Sequence, residues 1–267
     1  MWYILLVVIG VYLCISVSSL KISNDSISIK RKSTNKSVSQ GESIPSLAEK
    51  PPLKVFVIVE PTPFTYISGY ANRFKEMLTY LKRAGDNVRI FTPDSGARSP
   101  PPTEFLGFPI TTVRGYEFPL YKHITLTYDL KCKLKPIIQE FKPDLIHIVT
   151  PSAVIWAGII WAKVFRVPLL MSYHTDLTEY ARNYVPWAPK TAMKIADFLI
   201  KFVHRQSDLT LCTSPQLAER LTNLGVPNVD VWRKGINTEV SCFLDIIMYY
   251  YITFNSCTDI FADVQVR

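Results

Sequence analysis

Several catalytic signatures are missing from this 267-residue chain. It has no H-E-x-x-H, no P-loop and no G-x-S-x-G elbow, which weighs against hydrolase and kinase chemistry. No G-x-G-x-x-G is present, so a dinucleotide site is disfavoured. The five cysteines (Cys14, Cys132, Cys212, Cys242, Cys257) are odd in number, scattered and never spaced C-x-x-C. Neither a disulfide framework nor a zinc site is indicated; they read as reduced, mostly buried thiols, and no metal or other cofactor is expected. Only one long apolar run occurs, Trp2 to Val17. Acids are scarce near the start, Asp25 being the only one before Glu42.

What is present is an ordinary globular composition, 48% hydrophobic and 19% charged, enough for one good core and part of a second. The formal net charge of +8 suits a partner carrying phosphate: an anionic membrane surface, a nucleotide-sugar or nucleic acid. Nucleic acid is the least supported of these, because no zinc-ligand spacing, RNP-like aromatic segment or base-reading basic helix is found.

The run from Trp2 to Val17, followed by Ser18 and Ser19, reads as a signal peptide over residues 1–19. About 16 residues at about 1.5 Å each would reach roughly 24 Å, short of the roughly 30 Å hydrocarbon core, which disfavours a membrane anchor. Residues 20–52 are basic and serine-rich, a transit-peptide composition that has a plain disordered linker as its rival. Together the two segments resemble the bipartite leader of proteins sent to plastids of secondary origin, with the endomembrane system as the alternative destination. Residues 240–267 carry no decipherable pattern and read as an atypical tail.

Between residues 53 and 239, short apolar β-branched runs alternate with amphipathic segments. That is the signature of βαβ units, an α/β Rossmann-like domain with a parallel sheet. Strands are expected at Val55–Val59, Asn87–Phe91, Leu145–Val149, Leu169–Ser172, Leu209–Cys212 and Val229–Trp232. Helices are expected from Gly69 to Ala84 with Gly85 as the stop, from Leu130 to Phe141 with Pro136 in the first turn or kinking it, at Val154–Val164, from Trp187 to Arg205, and from Pro215 to Gly225 behind Ser214 as N-cap. Residues 95–119 read as a proline-rich loop with a short strand at Ile110–Val113.

Ligands of open parallel sheets bind beyond the carboxyl ends of the strands, so the residues just after each strand are the candidates. Glu60 to Arg73 follow the first, Thr150-Pro151 the fourth, Tyr173-His174-Thr175-Asp176 the fifth and Thr213-Ser214 the sixth. Gly69 opens a helix, where a phosphate or sugar could approach backbone N–H groups at the positive end of the dipole, or it is simply a turn residue. His174 follows an apolar strand, so its ring should reach the cleft and could hydrogen-bond a sugar hydroxyl or stabilise developing charge; a satisfied structural histidine is the alternative. His147, inside a strand, reads as core. His123 and His204 read as surface residues.

The strings VEPTPFTYISGYANRF, FKPDLIHIVTPS, SYHTD, HRQSDLTLCTS and WRKGINTE, in this order, resemble the plant and algal sulfoquinovosyltransferases, retaining family 4 glycosyltransferases of GT-B fold. The resemblance covers residues 53–239 and implies that this is the amino-terminal, acceptor-side half of such a fold. It implies transfer of sulfoquinovose from its UDP conjugate to diacylglycerol, with no metal. By the same resemblance His174 is the catalytic candidate lining the sugar pocket, and Gly69 meets the donor diphosphate or the acceptor. Tyr70, Asn72, Arg73, Thr175 and Ser214 are further substrate-binding candidates. Asp176 stands where many relatives differ, and Lys234-Gly235 match the start of an interdomain linker. The second domain of this family carries a basic pair and an E-x7-E motif, and neither is found after Glu239, so the chain as written is expected to be inactive.

A lipid acceptor requires membrane access. Lys190, Lys194, Lys201 and Arg205 alternate with Met193, Phe198, Leu199 and Phe202 on one expected helix, which could rest on an anionic leaflet or simply cover the sheet. Two alternatives stay open beside sulfoquinovosyl transfer: a glycosyltransferase using another hexose and lipid, and a non-catalytic sugar- or nucleotide-binding domain.

Overall fold

A computed structural model describes residues 51–65, 69–94, 102–118, 121–127, 129, 131–150 and 152–232. The leader at 1–19, nearly all of 20–52, the linker residues Lys234-Gly235 and the tail at 240–267 lie outside the described residues, as does the surface reading of His123.

The first strand, β1 (Lys54–Ile58), shows why the fold is layered. Every residue after Lys54 is buried, as expected of a central parallel strand covered on both faces. Side chains alternate in direction along it. Val55, Val57 and Val59 join one core with Phe74 and Leu78 of helix α1 (Gly69–Arg83), together with Val88 and Ile90 of β2 (Asn87–Asp94). Phe56 and Ile58 point the other way, into a core with Leu134, Ile137 and Ile138 of α2 (Leu134–Phe141) and Ile155 and Ile159 of α3 (Ile155–Phe165).

The sheet continues with β3 (Glu104–Phe105), β4 (Phe108–Arg114), β7 (Leu145–Thr150), β8 (Leu169–Tyr173), β9 (Leu209–Cys212) and β10 (Val229–Val231). Its order is β10-β9-β8-β7-β1-β2-β4-β3, with every neighbouring pair parallel except β3 and β4. A separate antiparallel pair is formed by β5 (Tyr116–Phe118) and β6 (Tyr121–Leu126). Three more helices, α4 (Leu177–Tyr184), α5 (Pro189–His204) and α6 (Pro215–Asn223), complete the layers. Tyr173, Ile200, Cys212 and Leu221 form a third core under α5 and α6. Among the described residues no helix is long and apolar enough to cross a membrane.

The α/β Rossmann-like class agrees with the structure, and a strand lies at each of the seven expected places. Pro136 sits in the first turn of α2, where its missing N–H costs nothing, and Gly85 at φ +76° stops α1. Four expectations need correction. The stretch read as a loop after residue 95 holds β3, a longer β4 and the start of the β5–β6 pair. Leu106 and Gly107 both have positive φ in the two-residue β3–β4 turn, and a leucine there hides the usual Asn-Gly signal. Helix α4 was missed although Asp176 caps it, accepting from the N–H groups of Thr178 (3.1 Å) and Glu179 (3.4 Å). Cys132 is exposed, whereas Cys212 is buried.

His204, expected at the surface, is 1% exposed. Its position follows Ala196, Ile200 and Val203 at helical spacing, so it faces the sheet with them. Its two ring nitrogens lie 3.2 Å from the hydroxyls of Thr150 and Thr210. Burial pushes its pKa down to about 4.

Candidate functional site

The carboxyl ends of β1, β8 and β10 converge with the start of α1. His174 directly follows β8; its N–H donates to the Thr150 carbonyl at 3.3 Å, continuing the β7–β8 ladder by one residue. Just beyond, the Leu177 N–H donates to the Tyr173 hydroxyl at 2.8 Å. The turn from His174 to Asp176 is therefore tied at both ends.

The His174 ring sits among three aromatics. It lies edge-on to Tyr70, Phe74 and Trp232, with ring centroids 5.7, 5.3 and 5.4 Å away. Its Nε2 is buried and has no hydrogen-bond partner. Burial pushes its pKa down to about 3, and the nearby Arg73 and His147 add to the fall. At neutral pH the imidazole is thus uncharged, with one nitrogen uncommitted. A buried polar atom left unpaired costs about 1–3 kcal/mol, which the fold tolerates most readily where a ligand supplies the partner.

Tyr70 and Arg73 lie one turn apart on α1 and fix this corner. The Tyr70 hydroxyl donates to the Pro61 carbonyl at 3.2 Å, joining α1 to the segment after β1. Arg73 donates to the Trp232 carbonyl at 3.3 Å and stands over the Trp232 ring, 5.3 Å from its centroid. The Trp232 N–H in turn donates to Cys212 at 2.8 Å, extending the β9–β10 pairing. Tyr70, Arg73 and His174 are thus brought together. Gly69 opens α1 beside them, and a Cβ built there would meet nothing within 4 Å. Among the described residues no packing reason for a glycine is visible there.

The remaining candidates divide. Asn72 is exposed on α1 and Thr175 is half-buried next to His174. Ser214 is committed to structure, its hydroxyl accepting from the Leu217 N–H at 3.2 Å as the N-cap of α6. Asp176 caps α4 and pairs with Arg220, which also reaches Asp197 at 3.2 Å. His147 is core, as expected: its Nε2 lies 2.9 Å from the Ser172 hydroxyl, and burial lowers its pKa to about 4.

Two residues had not been singled out. Trp232 is an aromatic ending a three-residue strand, too little to mark it in sequence. Glu60 is more legible: an acid directly after a buried strand, followed by proline. It is fully buried, and its carboxylate accepts from the Thr127 N–H, the Ser152 hydroxyl (2.6 Å) and the N–H groups of Ala153 (2.5 Å) and Val154 (3.1 Å). It clamps together the segments that follow β1, β6 and β7. Among the described residues no three His, Cys, Asp or Glu side chains group to hold a metal ion.

The Glycosyltransferase Family 4 model matches residues 67–240, which takes in every element from α1 to β10. The chain belongs to glycosyltransferase family 4. Its parallel sheet, wrapped by helices on both faces, is the Rossmann-like amino-terminal half of a GT-B fold. This family 4 chain is 34% identical over 192 residues to the Sulfoquinovosyl transferase SQD2 of Arabidopsis thaliana, covering 70% of this chain and 36% of that protein. It is 24% identical over 188 residues to the GDP-mannose-dependent alpha-mannosyltransferase of Corynebacterium glutamicum, covering 70% and 44%. Among solved structures, sucrose-phosphate synthase of Thermosynechococcus elongatus aligns with a TM-score of 0.47 at 17% identity, over 69% of this chain and 49% of that one. The chain therefore spans less than half the length of these relatives.

Proposed function

We propose that this family 4 chain forms the acceptor-side wall of a retaining glycosyltransferase of glycolipid synthesis, acting on UDP-sulfoquinovose and diacylglycerol. The observation that carries the reading is the neutral His174, whose uncommitted Nε2 belongs to a ring packed against Tyr70 and Phe74 in the first turns of α1. An uncharged imidazole offers a hydrogen bond without a proton to lose, which suits a sugar hydroxyl or an oxygen gaining charge. The dipole of a helix start favours a diphosphate or sugar oxygen near Gly69. The 34% identity with the Arabidopsis sulfoquinovosyl transferase supports sulfoquinovose over other hexoses.

Titration of UDP-sulfoquinovose, UDP-glucose and GDP-mannose, followed by the NMR signals of the His174 ring, tests the site. The His174 signals should move most with UDP-sulfoquinovose and not at all in a Gly69→Trp variant. Silence of His174 toward all three nucleotide-sugars overturns the reading, and robust sulfolipid synthesis by this polypeptide overturns its expected inactivity. The leader would deliver the protein to a plastid; residues 1–50 fused to a fluorescent protein should then accumulate there, and retention in the endoplasmic reticulum would reject that destination.

A further inference from the structure

Helix α5 is divided into three faces rather than two. Ala196, Ile200, Val203 and His204 are buried against the sheet. At 100° per residue, Lys190, Lys194, Lys201 and Arg205 fall on a second stripe, and all but the half-buried Lys201 are exposed. Ile195, Phe198 and Phe202 form a third stripe beside the cations, with Ile195 53% and Phe198 59% exposed and the Phe198 and Phe202 rings stacked. Trp187, just ahead of the helix, is 86% exposed.

A helix that merely covers a sheet has no use for an exposed phenylalanine, an isoleucine and a nearly bare tryptophan on its outward side. The one acid in α5, Asp197, borders the cationic stripe on its side away from Phe198 and is engaged there, accepting from Thr178 at 2.7 Å and pairing with Arg220. The outward surface is therefore apolar and cationic with no unpaired acid from its own helix. The neighbouring α4 adds the exposed Tyr180 and Tyr184, stacked on each other, and its acid Glu179 is neutralised by Arg182 at 3.0 Å.

We infer that this surface, centred on Phe198 with Trp187 at its leading end, docks the protein on an anionic lipid leaflet. The rings and Ile195 enter the interface while Lys190, Lys194 and Arg205 meet lipid phosphates. This deepens the lipid-acceptor reading, because α4 and α5 follow directly from the His174 turn, but it stands or falls by lipid contact and not by sugar binding. The charge complementarity is what selects a membrane over a second copy of the chain, since two such cationic faces repel each other.

The test uses the full chain and vesicles of phosphatidylcholine with or without phosphatidylglycerol. Each basic residue near an anionic surface contributes about 1 kcal/mol, so Lys190→Gln with Lys194→Gln should weaken binding to the mixed vesicles roughly 30-fold and leave binding to phosphatidylcholine unchanged. Because the leader could hold all variants on vesicles and carries Trp2, contact is read separately in a Trp2→Phe background: brominated lipid should quench tryptophan emission there, and adding Trp187→Phe should remove most of that quenching. All these side chains are exposed, so the far-UV spectrum and melting temperature should not move. Equal quenching in Trp187→Phe, or quenching indifferent to the lysines and to Phe198→Ser, overturns the inference. So does a concentration-dependent dimer that Phe198→Ser abolishes, which would assign the face to a second copy. Loss of nucleotide-sugar binding with intact quenching would reject the proposed function and leave this surface standing.

Discussion

Glu60 sets burial against hydrogen bonding in a way that fixes the sign of a measurable pH dependence. Four donors converge on its carboxylate and favour the ionised form, while complete burial favours the neutral one. Burial wins, raising the pKa from 4.5 to about 7. Below 4.5 the side chain is protonated in both folded and unfolded chains and contributes no pH dependence. As pH rises toward 7 the unfolded chain releases its proton and the folded one keeps it, so stability falls across that window. At about 1.4 kcal/mol per pKa unit, the loss is about 3 kcal/mol, complete above about pH 7. Only the Ser152 hydroxyl can accept the retained proton, because the other three partners are N–H donors.

Buried His147 and His204 and half-buried His174 have lowered pKa values, and they make stability fall as pH drops below 6.5, in the opposite sense. Glu60→Gln isolates the carboxyl. Its amide can keep one oxygen toward Ser152, Ala153 and Val154 but turns an NH2 group on the Thr127 N–H, a pH-independent cost of about 1–3 kcal/mol. Urea unfolding of both proteins at pH 5 and pH 8 should therefore show the wild type losing about 2.5 kcal/mol relative to the variant between the two, on top of the variant's pH-independent cost. A difference that is flat with pH, or that grows toward pH 8, would mean the four donors outweigh burial, and the account of this clamp would be wrong.

Two glycines should respond in opposite ways to alanine. In Gly158→Ala the new methyl would lie 2.3 Å from Ile148 Cδ1 and 3.2 Å from Ile58 Cδ1, so overpacking should cost about 1–3 kcal/mol and lower the melting temperature. Gly69→Ala meets nothing and should leave stability unchanged or raised by up to about 1 kcal/mol, while weakening nucleotide-sugar binding if a ligand comes up to that backbone. Ser214→Ala should cost about 1 kcal/mol through loss of the α6 cap and leave nucleotide-sugar affinity unchanged in calorimetry. Because the His174 pKa is lowered to about 3, affinity for UDP-glucose should be flat between pH 5 and 8; a transition near 6.5 would show that the imidazole is not desolvated.

Much of the fold was legible because its signals are local and redundant. Val55–Val59 and Leu145–Val149 are continuous apolar runs, Phe74 and Leu78 share a helical face, and Gly85 and Ser214 mark helix ends. What failed did so for identifiable reasons. Helix α4 is short and polar, so periodicity is weak and only the Asp176 cap announces it. His204 looks polar by residue type, and only its spacing from Ile200 and Val203 reveals that it faces the sheet. Trp232 acquires its place from Arg73, 159 residues away, and no local pattern carries that.

Inspecting the residues beyond each strand selects candidate positions but cannot assign their roles. His174 and Ser214 both follow a parallel strand, and both are polar residues that could meet a sugar. The difference lies in the backbone that comes next. Ser214 is followed at once by Pro215 and a helix, so its oxygen finds the Leu217 N–H and its bonding is closed within four residues. After His174 the first turn of α4 is served instead by Asp176 and by the Tyr173 hydroxyl, leaving the imidazole with no local donor to satisfy. A strand-end residue stays available for chemistry when its neighbours do the capping, and on that physical ground His174 is the stronger site candidate of the two.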